Sequence, residues 1–147
     1  MKRVLGIDLG LKRTGLALSD ELGLSVRPLP NLVPRSRKED VEVVLGICVS
    51  HAVSVIVIGY ALLASGDEGM MGRRARGFRE ALQIEASRNH LDLKIVLLEE
   101  SMTSKWAGQR LIEAQVPRQK RRGRLDAEAA CILVEEYLNS QSEEARS

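Results

Sequence analysis

The chain has few of the residues that build several common kinds of functional site. Its 147 residues include two cysteines, two histidines and 3% aromatic residues. This scarcity argues against a zinc site, so any bound metal should be a hard cation held by carboxylates. No apolar run approaches the roughly 18 residues that a membrane span needs. The N-terminus has no signal-peptide pattern, which predicts a cytoplasmic protein without a membrane segment.

The spacing of apolar residues predicts an α/β fold. It indicates strands over 3–9, 14–19, 24–33, 53–58 and 93–98, and helices over 38–52, 71–89, 104–115 and 126–139. Three antiparallel strands, followed by helices that alternate with parallel strands expected to be buried at 53–58 and 93–98, predict a mixed five-stranded sheet flanked by helices. The apolar residues at 41, 44, 45 and 48 give the segment 38–52 its helical spacing. We expect one domain over 1–139 and a polar tail over 140–147. Cys48 and Cys131 lie in apolar helical stretches and are expected to be buried.

Acidic residues occur where predicted strands end and where the last helix begins. Asp8 ends the first strand, and Glu99 and Glu100 end the strand of 93–98. If those two strands are neighbours, their ends bring Asp8 and Glu100 together. Asp126 opens the last helix, at helical spacing from three residues expected to face the sheet, namely Ala130, Leu133 and Tyr137.

Three converging carboxylates repel one another and need cations to compensate them. Two hard cations bridged by carboxylates are a common device for phosphodiester displacement, and Mg²⁺ or Mn²⁺ suits oxygen ligands. Other interpretations stay open at this point. Asp8 could be a turn residue, Asp126 a plain N-cap and Glu99–Glu100 a solvated strand end.

Several segments resemble the YqgF (RuvX-type) family of bacterial ribonuclease-H-like nucleases, also called pre-16S rRNA nucleases. The resemblance runs collinearly from residue 4 to about 138. It is carried by Gly6-Ile-Asp8-Leu-Gly10, Lys12–Asp20, Ile58–Leu62, Ser65–Gly69, Ala75–Phe78, Glu99–Ser104 and Asp126–Ala130. The sequence departs from the family pattern at Glu99 and Ser101, which stand in place of aspartate and arginine, and at Tyr60-Ala61, which stands in place of Leu-Pro.

The resemblance implies a metal-dependent nuclease. Asp8, Glu100 and Asp126 then correspond to the catalytic acids that bind Mg²⁺ or Mn²⁺. The implied substrate is structured nucleic acid, with 5′-end processing of pre-16S rRNA as the leading role and resolution of DNA four-way junctions (Holliday junctions) as the alternative. Whether Glu99 also reaches the metal, and whether the chain forms a two-fold homodimer, stay open.

Basic residues next to the expected acids point to a nucleic-acid partner. They are Lys12 and Arg13 after Asp8, and Arg118, Lys120, Arg121, Arg122 and Arg124 before Asp126. Cations there would hold a polyanion beside the acids, through phosphate contacts that carry no sequence information. Arg73, Arg74 and Arg76 fit a solvated helix face instead.

Two further classes stay open. The segment from Asp8 to Gly15 also resembles the phosphate loop of actin-like ATPases, although 147 residues supply one lobe and those proteins need two. A nucleic-acid-binding module without catalysis is the other alternative.

Overall fold

The computed structural model describes residues 3–10, 12–60, 69–99 and 128–141. Its elements there are β1 (Arg3–Asp8), β2 (Thr14–Ser19), β3 (Val26–Leu32), α1 (Arg37–Ser50), β4 (Val53–Tyr60), α2 (Gly69–Arg88), β5 (Lys94–Glu99) and α3 (128–141). Each confirms a predicted element, and the ends of β1 to β5, α1 and α2 differ from the predicted ones by at most two residues. The predicted helix over 104–115 lies outside the described residues.

The strands form one mixed sheet in the order β3-β2-β1-β4-β5. The pairs β1–β2 and β2–β3 are antiparallel, whereas β1–β4 and β4–β5 are parallel. This confirms the mixed five-stranded sheet. The first and last strands are not neighbours, however, because β4 lies between β1 and β5.

Helices cover both faces of the sheet. On one face α1 and α2 pack over alternate residues of β1, β2 and β4, among them Leu5, Ile7, Leu16, Leu18, Ile56 and Ile58. On the other face α3 packs over Val4, Ala17, Val55 and Val57. The period-two alternation of each strand therefore decides which helix layer a side chain meets.

Local sequence explains why α1 begins at Arg37. The hydroxyl of Ser36 accepts a hydrogen bond from the Glu39 backbone N–H at 3.1 Å, which caps the helix. The buried residues of α1 are the four predicted from helical spacing, Val41, Val44, Leu45 and Cys48. Burial raises the pKa of the Cys48 thiol to about 12. Cys131 is buried as well, so both cysteines belong to the core as expected.

The two later strands differ in burial. Residues of β4 from Val55 to Gly59 are buried on both faces, as the run rich in β-branched residues predicts. The strand at 93–98 was also predicted to be buried, and this is wrong. Residues 95–98 are only half-buried because β5 is the last strand of the described sheet. Among the described residues no helix combines the length and apolar character needed to cross a membrane.

Candidate active site

Asp8 is a buried carboxylate at the end of an inner strand. Asp8 is only 7% exposed to solvent. Its strand, β1, lies between β2 and β4 in the sheet. The residues level with it are Gly15 on β2 and Gly59 on β4. Residues paired across neighbouring strands share a face, so no side chain stands beside Asp8 on either adjacent strand. Glycine within a strand often marks a close approach of another backbone or of a ligand.

The three parallel strands end at one edge of the sheet. Asp8 ends β1, Tyr60 ends β4 and Glu99 ends β5, with Tyr60 paired to Glu99. Because β4 separates β1 from β5, their backbones are two strand spacings apart, about 10 Å. The sequence predicted that Asp8 and Glu100 come together if their two strands are neighbours, but these strands are not neighbours. It did not predict the strand between them.

Asp8 lies on the face of the sheet that α3 covers. Val4 on β1 packs with α3, whereas Leu5 and Ile7 pack under α1 and α2. Alternation places Gly6 and Asp8 on the face of Val4. The carboxylate is therefore directed toward the layer that contains α3.

A close contact at Gly6 fixes α3 against β1. A Cβ atom at Gly6 would lie 2.5 Å from Val134 Cγ2 and 2.8 Å from the Ala130 carbonyl oxygen. These distances leave no room for a side chain, so glycine lets the helix backbone approach the strand. Farther along α3, Leu138 lies beside Gly23 in the β2–β3 turn. That turn is at the opposite end of the sheet from Asp8, so the N-terminal end of α3 is directed toward the Asp8 edge.

Two of the three residues of α3 that were expected to face the sheet belong to the cluster between the helix and the sheet. Ala130 and Tyr137 pack in the cluster beneath the helix, with Cys131, Val134 and Leu138. Leu133 is fully buried, yet it packs outside that cluster. Asp126, four residues before Ala130, lies outside the described residues.

The turn after Asp8 carries two of the predicted nucleic-acid contacts. Lys12 is exposed and Arg13 is half-buried. A Cβ atom at Gly10 would overlap the carbonyl oxygen of Arg13, so the turn closes tightly only with glycine there. The Nη1 of Arg74, on α2, donates a hydrogen bond to the Gly10 carbonyl oxygen at 3.4 Å.

Seven other predicted site residues fall outside the described residues, namely Glu100, Asp126, Arg118, Lys120, Arg121, Arg122 and Arg124. Within the described ranges no group of three or more His, Cys, Asp or Glu side chains is placed to hold a metal ion. Asp8 is the only one of the three predicted acids that the described part of the chain contains.

Sequence reasoning missed the residues that shape the surroundings of Asp8. These are Gly6, Gly15, Gly59 and Arg74. Glycine inside a strand is the signal that could have found the first three, because it often marks a close approach of backbone or ligand. Two described grooves lie elsewhere, between α1 and α2, with volumes of about 320 and 420 Å³.

Comparisons with known proteins agree with this architecture. The structure of RuvC from T. thermophilus in complex with a Holliday junction substrate matches with a TM-score of 0.60 at 15% identity, covering 97% of each chain. The fowlpox virus resolvase in complex with Holliday junction DNA matches with a TM-score of 0.55 at 11% identity, covering 95% of this chain and 98% of that one. The likeness defines the class of the fold, which is ribonuclease-H-like.

Sequence comparison identifies the family. The family model described as "RuvX: Holliday junction resolvase" matches residues 2–140. A protein of Syntrophus aciditrophicus (strain SB) named "Putative pre-16S rRNA nuclease" is 37% identical over 142 residues, 97% of this chain and 91% of that protein. A protein of the same name from Endomicrobium trichonymphae is 34% identical, over 98% of this chain and all of that one. The chain belongs to the RuvX family, and family and fold together make it a nuclease.

Proposed function

We propose that the chain is a metal-dependent nuclease whose site is built on Asp8. The observation that carries this proposal is the buried Asp8 carboxylate, at the end of an inner strand, between two glycines. An acidic side chain at the end of an inner strand is suited to ligate a hard cation through its carboxylate oxygens. Asp8, Glu100 and Asp126 are the proposed catalytic acids and metal ligands.

The register of β5 favours Glu100 over Glu99 as the second ligand. Leu98 pairs with Gly59, and Gly59 pairs with Asp8, so these three residues are level on one face. Leu98 packs into the cluster beneath α3, which confirms that face. Alternate residues of a strand share a face, so a strand continued past Glu99 would direct Glu100 toward the Asp8 side and Glu99 away from it.

The direction of α3 supports Asp126 as the third ligand. The N-terminal end of the helix is directed toward the Asp8 edge, and its first described residue is Glu128. Two residues of chain reach at most about 7 Å. Asp126, two residues before Glu128 in the sequence, is therefore the acid that we propose for this end of the sheet.

The donor set fits Mg²⁺ or Mn²⁺. Carboxylate oxygens are the ligands that these hard cations prefer. When bound, such a cation supplies Lewis acidity to the phosphate and lowers the pKa of an attacking water. The part of the chain itself is to present Asp8 at the end of β1, level with Gly15 and Gly59 on the adjacent strands.

We propose structured RNA as the substrate, in processing the 5′ end of pre-16S rRNA. Relatives at 34–37% identity over nearly the whole chain carry that substrate in their names. The basic residues around the proposed site, such as Lys12, Arg13 and the run over 118–124, suit phosphate contacts. Contacts of this kind read shape more than sequence. The compartment that this role implies is the cytoplasm.

A second candidate function is the resolution of DNA four-way junctions. The description of the family model and the two resolvase structures favour it. The same phosphate site would serve both substrates. Junction resolution would require a two-fold homodimer that places two sites on one junction, so a strictly monomeric protein would count against it.

Cleavage of two labelled substrates tests the proposal and separates the candidates. The substrates are a precursor-rRNA 5′ fragment and a DNA four-way junction, each with Mn²⁺, Mg²⁺ or EDTA. We expect metal-dependent cleavage of the RNA, abolished by EDTA and absent from an Asp8→Asn preparation purified in parallel. Faster cleavage of the junction would favour the second function. Binding without cleavage of either substrate would contradict the nuclease proposal.

A further inference from the structure

The first three turns of α2 have an unusual charge distribution. Between Gly69 and Arg79 there is no acidic residue, and the cations there are Arg73, Arg74, Arg76 and Arg79. The N-terminal end of a helix carries a partial positive charge, which acidic residues would compensate. α1 has Glu39 and Asp40 in its first turn, whereas the first turn of α2 has no acid. Asp67 and Glu68 come just before Gly69 in the sequence, but the residues from Gly69 to Arg79 carry four cations and no acid, which suits an external anion.

This part of α2 lies at the edge of the sheet where the active site is proposed. α2 follows β4, so it starts from the edge at which β1, β4 and β5 end. The hydrogen bond from Arg74 to the Gly10 carbonyl oxygen joins the helix to the β1–β2 turn. Gly10 is two residues from Asp8, a reach of at most about 7 Å.

Arg73 has the position that a phosphate contact requires. It is exposed, whereas Gly72, Ala75 and Phe78 form the buried side of the helix. Arg74, next in the chain, is half-buried and contacts the turn that carries Lys12 and Arg13. The two neighbouring arginines therefore differ in role. Arg74 is held against the protein, whereas Arg73 is exposed to solvent.

We propose that Lys12, Arg13, Arg73 and Arg74 form one phosphate-binding surface, called here the α2 basic surface. It holds the nucleic-acid backbone that flanks the scissile phosphate. Arg73 contacts a phosphate, and Arg74 is a positioning residue that fixes the β1–β2 turn. This inference rests on the nuclease function proposed above.

The salt dependence of binding tests the α2 basic surface. The probe is a fluorescein-labelled RNA hairpin, with affinity measured by anisotropy in EDTA between about 50 and 200 mM salt. We expect Arg73→Gln to weaken binding several-fold and to lower the slope of log K against log salt by about one unit. Arg73→Lys should keep the slope because lysine retains the charge.

The matched control is Arg88→Gln. Arg88 is an exposed arginine in the last turn of the same helix, paired with Glu85 at 3.4 Å. We expect its slope to equal that of the wild type. An unchanged slope for Arg73→Gln, or an equal loss for Arg88→Gln, would overturn the α2 basic surface and leave the nuclease proposal standing. A wild-type protein that does not bind the hairpin at any salt concentration would overturn both.

Discussion

At the scale of single residues, the neighbours of Asp8 on its own face of the sheet are glycines, which have no side chain. Gly15 and Gly59 flank it on the adjacent strands, and Gly6 precedes it on the same face. The position of Asp8 after a hydrophobic strand could be predicted from the sequence. Its glycine neighbours could not, because pairing across strands depends on a strand order that local patterns do not encode.

The alternation of side chains along β5 predicts different roles for Glu99, its last residue, and for Glu100, the next residue in the sequence. Replacing Glu100 by Gln should reduce metal-dependent cleavage at least about a hundredfold, because a metal ligand is lost. Replacing Glu99 by Gln should leave cleavage within about threefold, because the proposed site takes Glu100 and not Glu99 as its ligand. Single-turnover cleavage rates of the two variants measure this. Loss of cleavage in Glu99→Gln with retention in Glu100→Gln would reverse the assignment.

At the scale of helices and strands, sequence patterns located nearly every described element. The apolar spacing of α1 selected the four residues that are buried, and the β-branched run predicted β4. The patterns gave no strand order, and they predicted β5 to be buried although it lies at the edge of the described sheet. Burial of a strand depends on its neighbours, which are distant in sequence.

Two glycine substitutions should have opposite effects on stability. Gly6→Ala should lower the free energy of unfolding by about 1–3 kcal/mol, because the added methyl group would overlap Val134 and the Ala130 carbonyl. Gly46→Ala, in α1, should raise it by about 0.5–1 kcal/mol, because alanine favours the helix and its Cβ meets no atom within 4 Å. Urea denaturation of both variants measures these changes. A Gly6→Ala protein as stable as the wild type would show that α3 does not press on β1 as described.

At the scale of the whole molecule, the fold and family could be inferred from the sequence because the motifs are collinear over nearly the entire chain. Net charge was a poorer guide. The value of +2 conceals cations gathered at one edge of the sheet, on the β1–β2 turn and the first turns of α2. Only the topology shows that these two segments are adjacent, which is why the sequence assigned Arg74 wrongly to a solvated helix face, whereas it is half-buried and hydrogen-bonded to Gly10.

Neutralising the basic run should weaken nucleic-acid binding without abolishing the fold. A triple replacement of Arg121, Arg122 and Arg124 by Gln removes three charges from the segment before Asp126. We expect the salt slope of binding to fall by about two to three units. Anisotropy with the labelled RNA hairpin measures the slope, and circular dichroism checks the fold. A folded variant with the wild-type slope would move the binding surface away from this run.

The central claim is that cleavage depends on the carboxylate of Asp8. The most direct test is the cleavage rate of Asp8→Asn beside Asp92→Asn with saturating Mn²⁺. Asp92 is an exposed aspartate just before β5, at the opposite edge of the sheet, so the same chemical change is made away from the proposed site. We predict that Asp8→Asn loses at least about a hundredfold in rate while staying folded, and that Asp92→Asn matches the wild type. An Asp8→Asn protein that cleaves as fast as Asp92→Asn would contradict the account.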